Sequence, residues 1–90
     1  MDFEWDSAKA AENFKKHGVS FEEAVSALKD DLAATARDLE HSVKEFRFIT
    51  FGISVHGRLI AISHTERGSL IRIISARLAT RTERKIYEES

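Results

Sequence analysis

Two different spacings of apolar residues divide the chain. Phe21, Ala24, Val25 and Leu28 recur at three- and four-residue intervals, as on one helix face, whereas from Glu45 onward Phe, Ile and Thr crowd into runs broken by glycine. Each predicted helix carries its own end signals. Asp6 caps a first helix over Asp6–His17, with Trp5 ahead of it as a staple and Gly18 as its left-handed stop. Lys15, Lys16 and His17 fall in its last turn, where positive charge complements the helix dipole. Ser20 followed by Glu23 is a capping box that opens a second helix running to about Leu28. Ala33–Arg37 reads as a short edge strand and Leu39–Val43 as a polar loop.

Glu45–Ser54, Arg58–Thr65 and Leu70–Arg77 read as strands of an antiparallel meander, with His56-Gly57 and Arg67-Gly68 as two-residue turns. That spacing pairs Ile53 with Ile60 and Ile62 with Ile73, and sets Ser63 opposite Arg72. It gathers Ile49, Phe51, Ile53, Ile60, Ile62, Ile71 and Ile73 on a core face for the two helices. The other face then holds Phe48, Thr50, Gly52, Leu59, Ala61, Ser63, Thr65, Arg72, Ile74 and Ala76, and a one-residue shift in either turn exchanges the sides. Thr80 with Glu83 is a third capping box and starts a C-terminal helix bearing Arg81, Arg84, Lys85 and Tyr87. The expected fold is α+β: two N-terminal helices on an antiparallel sheet of three to four strands, then a C-terminal helix, forming one domain over residues 1–90.

Composition narrows the function classes. With 90 residues and no cysteine, the chain has neither a thiol nucleophile nor a disulfide framework, and its core is thin enough for stability to lean on a partner. Absent cysteine fits a reducing compartment, and no apolar run approaches the roughly 18 residues of a membrane span, so a cytoplasmic, untargeted protein is expected. The net charge of −1 conceals an asymmetry: residues 58–85 hold seven Lys/Arg against two Asp/Glu. Six of the seven are arginine, whose planar fork suits phosphate, so a nucleic-acid footprint competes with a merely solvated surface.

The order of short blocks resembles the BrnT family of toxins across essentially the whole chain. The similarity is carried by Phe3-Glu4-Trp5-Asp6, Lys9, Asn13 and Lys16-His17-Gly18-Val19-Ser20-Phe21-Glu22-Glu23-Ala24, then His41-Ser42, Glu45, Arg47, Gly52 and Gly57-Arg58-Leu59. It continues through His64-Thr65-Glu66-Arg67-Gly68, Arg72-Ile73-Ile74-Ser75-Ala76-Arg77, Ala79-Thr80, Glu83-Arg84 and Tyr87-Glu88. The resemblance implies a RelE-like fold and a type II toxin that cleaves RNA and inhibits translation. It also implies neutralisation by a ribbon-helix-helix antitoxin, BrnA, in a 2:2 assembly that represses their operon, with operator DNA reached through the antitoxin. Two places depart from the family pattern: Ser7 stands where proline is usual, and Leu28-Lys29-Asp30-Asp31 where an aromatic residue and an Asp-Pro turn are common.

Cleaving RNA without a metal requires a base for the 2′-hydroxyl, an acid for the 5′-oxygen and a cation for the phosphate. Arg72, in mid-strand among isoleucines, is the expected phosphate ligand, the alternative being a pair with a carboxylate such as Glu88. His64 and Tyr87 are the expected proton carriers, against a hydrogen-bonded core histidine and a ring packed on the sheet. Arg67, Arg77, Arg81 and Arg84 extend an RNA-binding track or are solvated surface residues, and Glu66 with Arg67 can supply a base and a cation or form an exposed turn pair. The histidines lack metal-ligand spacing, so no metal and no cofactor is expected. A non-catalytic co-repressor module and a degenerate toxin are the competing readings.

Overall fold

The computed structural model describes residues 2–40 and 46–89; the predicted strand start at Glu45 and most of the predicted Leu39–Val43 loop lie outside them. The order of elements is β1 (Asp2–Glu4), α1 (Ser7–His17), α2 (Phe21–Leu28), β2 (Ala34–Arg37), β3 (Arg47–Ile53), β4 (Leu59–Arg67), β5 (Leu70–Leu78) and α3 (Arg81–Glu89). The helix ends follow from their caps. Asp6 Oδ1 accepts from the Ala8 and Lys9 amides at 2.8 and 3.1 Å, and Gly18 closes α1 at φ 69°. Ser20 Oγ accepts from the Glu23 amide at 3.0 Å, and Thr80 and Glu83 cap each other at 2.9 and 3.2 Å.

The strands form one five-stranded sheet in the order β1-β5-β4-β3-β2. β1 pairs in parallel with β5, so the expected purely antiparallel sheet gains a parallel edge strand. The expected register is also corrected. Ile53 pairs with Leu59, because the first turn has three residues, Val55–Gly57, closed by a Ser54 amide bond to the Arg58 carbonyl at 2.8 Å. The second turn is Gly68-Ser69, which pairs Arg67 with Leu70 and Thr65 with Arg72. A bulge between Ser63 and His64 then sets Ser75 opposite Ser63 and Ala76 opposite Ile62.

These shifts split the single apolar face into two. Ile60, Ile62, Ile73 and Ala76 meet Val19, Phe21, Ala24 and Ala27 on the helix side, while Phe51, Leu59 and Ala61 meet Ile49, Ile53, Ala79 and Tyr87 on the side that α3 partly covers. Helix α2 lies directly on the sheet at Gly52, where a Cβ would stand 2.2 Å from the Ala27 carbonyl oxygen.

Two polar clamps hold the helices in place. The Asn13 amide accepts from the Ala76 amide at 3.1 Å and donates to the Ala76 carbonyl at 2.8 Å, so α1 serves the part of β5 that β1 does not reach. Buried Glu23 accepts from Arg58 Nε at 2.9 Å, from Arg58 Nη2 and from Ser54 Oγ at 2.7 Å. The Arg58 guanidinium holds the Glu23 carboxyl below the ordinary carboxylate range. Arg58 therefore ties the β3–β4 turn to α2.

Candidate functional site

Strand pairing brings four polar residues into one row on the α3-side face. Arg47 stands opposite Thr65, Thr65 opposite Arg72, and Arg72 beside Glu4 of the parallel strand. Arg72 Nη1 lies 3.4 Å from Glu4 Oε1, and both side chains are a little over a third exposed. Thr65, between the two arginines, is 2% exposed, and its hydroxyl has no hydrogen-bond partner among the described residues. Ser63 and Ser75 form the next row, and Arg67 follows at the hairpin end of the same face. The arrangement offers cations for a phosphate, a carboxylate within reach of the same point and, at Ser63 and Ser75, small side chains that let a backbone approach.

His64 lies on the other face. It pairs with Ile73, is 1% exposed, and its Nε2 is 2.7 Å from Thr50 Oγ1, which is itself 2.7 Å from Thr35 Oγ1. Phe48 stacks on its ring at 5.8 Å, its Nδ1 has no partner among the described residues, and burial pushes its pKa below the ordinary imidazole value. This is the geometry of a hydrogen-bonded core histidine. The sheet separates it from Arg72.

Tyr87 is on the Arg72 face but at the far end. Its ring packs with Phe51, Leu59 and Ala61, and its hydroxyl donates to Asp30 Oδ2 at 2.6 Å. Leu59 and Thr65 are six positions apart on β4, about 20 Å at the usual strand rise, so the phenol does not reach the Arg72 row. The bond to Asp30 raises the Tyr87 pKa. Asp30 also accepts from the Ile53 amide at 2.8 Å and the Leu32 amide at 3.0 Å, so it secures the exit of α2 where the chain departs from the family pattern.

The remaining arginines divide. Arg77 shares the face with Arg72 but is held as a fork by Glu83 at 2.7 and 2.9 Å, and the alternative pair of Arg72 with Glu88 is replaced by the pair with Glu4. Arg81 and Arg84 are exposed on α3. Glu4 is not among the candidates the sequence offers, because the short strand β1 that sets it beside Arg72 is signalled only by the alternation of Phe3, Glu4 and Trp5.

The family described as ribonuclease toxin, BrnT, of type II toxin-antitoxin systems matches residues 5–83. The chain belongs to the BrnT family. The structure agrees: it is similar to the crystal structure of the Brucella abortus ribonuclease toxin BrnT, with a TM-score of 0.70 and 25% identity over 90% of this chain and 99% of that one. No curated relative matches the chain. Membership in BrnT makes this a ribonuclease toxin of a type II system, with an antitoxin as its partner class. Among the described residues, no helix is long and apolar enough to cross a membrane.

Proposed function

We propose that this BrnT toxin cleaves RNA, without a metal, on the open half of its α3-side face, with Arg72 as the phosphate ligand and Glu4 as the base. The observation that carries the reading is the Arg72–Glu4 pair, a cation and a carboxylate 3.4 Å apart and each a little over a third exposed. In this mechanism Glu4 accepts the proton of a 2′-hydroxyl, whose oxygen attacks the adjacent phosphorus. Arg72 stabilises the charge that gathers on the phosphoryl oxygens, where such stabilisation contributes most to rate. The 5′-oxygen leaves with a proton from solvent, giving a 2′,3′-cyclic phosphate. Arg47 and Arg67 extend the cationic track along the strand ends, and Arg77, Arg81 and Arg84 continue it toward α3. Cleavage of messenger RNA in the cytoplasm accounts for inhibited translation.

The proposed partner is a BrnA-like ribbon-helix-helix antitoxin, in a 2:2 complex that reaches operator DNA through the antitoxin. The outer edge of β2, unpaired among the described residues, and the exposed side chains of Leu32 and Phe46 nearby support a protein partner. The RelE-like assignment rests on the helix pair packed on one sheet face. Comparing RNA cleavage by the parent, Arg72→Ala and Glu4→Gln proteins tests the catalytic reading.

A further inference from the structure

Side chains alternate across a sheet, so the residues next to the Arg72 row form a second row on the helix side. Phe3, Ile71 and Glu66 pair with one another immediately beside Glu4, Arg72 and Thr65, and point the opposite way. They line a cavity of about 500 Å³ between the sheet and the end of α2, within the range of small-molecule sites. Thr35 and Thr50 line its polar side, and Lys29 and Glu66 bring opposite charges to it.

We infer that this cavity binds a nucleobase; the choice of occupant rests on the ribonuclease reading, while the cavity does not. A base requires a flat apolar surface and a few hydrogen-bonding groups at its edge. Phe3 supplies an aromatic ring, with Lys29 Nζ 5.9 Å from its centroid, and Leu28 and Ile71 supply apolar wall. Glu66 accepts from an amino or imino N–H. The Thr35 hydroxyl, at the end of a chain that runs through Thr50 to buried His64, donates to a carbonyl or accepts from an N–H according to which imidazole nitrogen carries the proton. Thr50 is itself 2% exposed, so its hydroxyl orientation is set by the chain of bonds rather than by solvent. An RNA strand crossing the sheet end then presents a phosphate to Arg72 on one face and a base to this cavity on the other.

The test is an NMR titration of the full chain with adenosine, guanosine, cytidine and uridine, with ribose 5-phosphate as the control. At least one nucleoside is expected to shift Thr50, Ile71 and the His64 ring, while ribose 5-phosphate leaves them in place. Glu66→Gln, at an exposed position, and Thr50→Val are each expected to weaken that binding about tenfold, the first by replacing a charged acceptor with a neutral one and the second by breaking the hydroxyl chain. Unchanged signals with all four nucleosides, or binding that Glu66→Gln leaves intact, overturn the inference. Mapping cut sites on total RNA separates two sources of the base: altered flanking bases in Glu66→Gln assign it to the substrate, and unaltered ones with nucleoside binding retained in the parent assign it to a free nucleoside. Arg72→Ala is assayed in parallel, so that failure of the cleavage reading is distinguishable from an empty cavity.

Discussion

Arg72 and His64 occupy opposite faces of one sheet although their partners are neighbours in sequence: Arg72 stands opposite Thr65, and His64 opposite Ile73. A phosphate on the guanidinium therefore has the sheet between it and the imidazole. The consequence is a division of labour in which the exposed face carries the cations and the Glu4 carboxylate, while His64 backs the hydroxyls of the covered face.

His64 predicts a pH dependence of stability. An unfolded histidine protonates near pH 6.5, and burial holds the folded one lower, so the unfolded state binds the proton first as pH falls. Its contribution is fully present above about pH 6.5 and is lost as the pH falls below it. The lowered carboxyls of Glu23, Asp30 and Glu83 contribute their own losses only below about pH 4.5, so the window between isolates His64. Urea unfolding across that window is expected to flatten in His64→Asn, and an unchanged slope would remove the assignment.

Asn13 joins α1 to β5 and to the start of α2 through bonds to Ala76 and to the Val19 carbonyl at 3.0 Å. Asn13→Ala leaves buried backbone groups unpaired and is expected to cost about 2–3 kcal/mol in urea unfolding. A loss below about 0.5 kcal/mol would show that the clamp is dispensable.

Gly52→Ala places a methyl group against the Ala27 carbonyl, a backbone atom that cannot move aside alone. The expected cost exceeds about 2 kcal/mol. A variant as stable as the parent would mean that α2 does not rest on β3 at this point.

What was legible in the sequence was local. Asp6, Ser20 and Thr80 cap helices through bonds spanning two or three residues, and those helices stand where the caps put them. Pairing was harder, because a three-residue turn and a two-residue turn carry nearly the same glycine signal, and the bulge before His64 has no local signature. β1 is three residues long and exists through contacts with β5 almost seventy positions away, so nothing nearby announces it. The site shared this limit. Arg72 stood out as a charge within an apolar strand, but its partner Glu4 became visible only once β1 was in place.

Arg58, in the turn just before β4, clamps buried Glu23 and the Gly18 carbonyl. Arg58→Ala is expected to lower Tm by roughly 5 °C or more, as measured by circular dichroism. Any loss of cleavage in that variant should track the unfolded fraction. A variant with unchanged Tm would show that the clamp does not hold α2.

The central claim is that Arg72 and Glu4 act together on RNA. It is tested most directly by the rate at which purified parent, Arg72→Ala and Glu4→Gln proteins cleave total RNA, read by primer extension, with Tm measured on the same samples. Arg72→Ala is expected to cleave about 100-fold or more slowly with Tm nearly unchanged, since the guanidinium acts chiefly on transition-state charge. Glu4→Gln should lose about 100-fold with Tm nearly unchanged, since a glutamine amide cannot take up the 2′-hydroxyl proton. A folded Arg72→Ala protein that cleaves as fast as the parent would contradict the claim and move the site off this face.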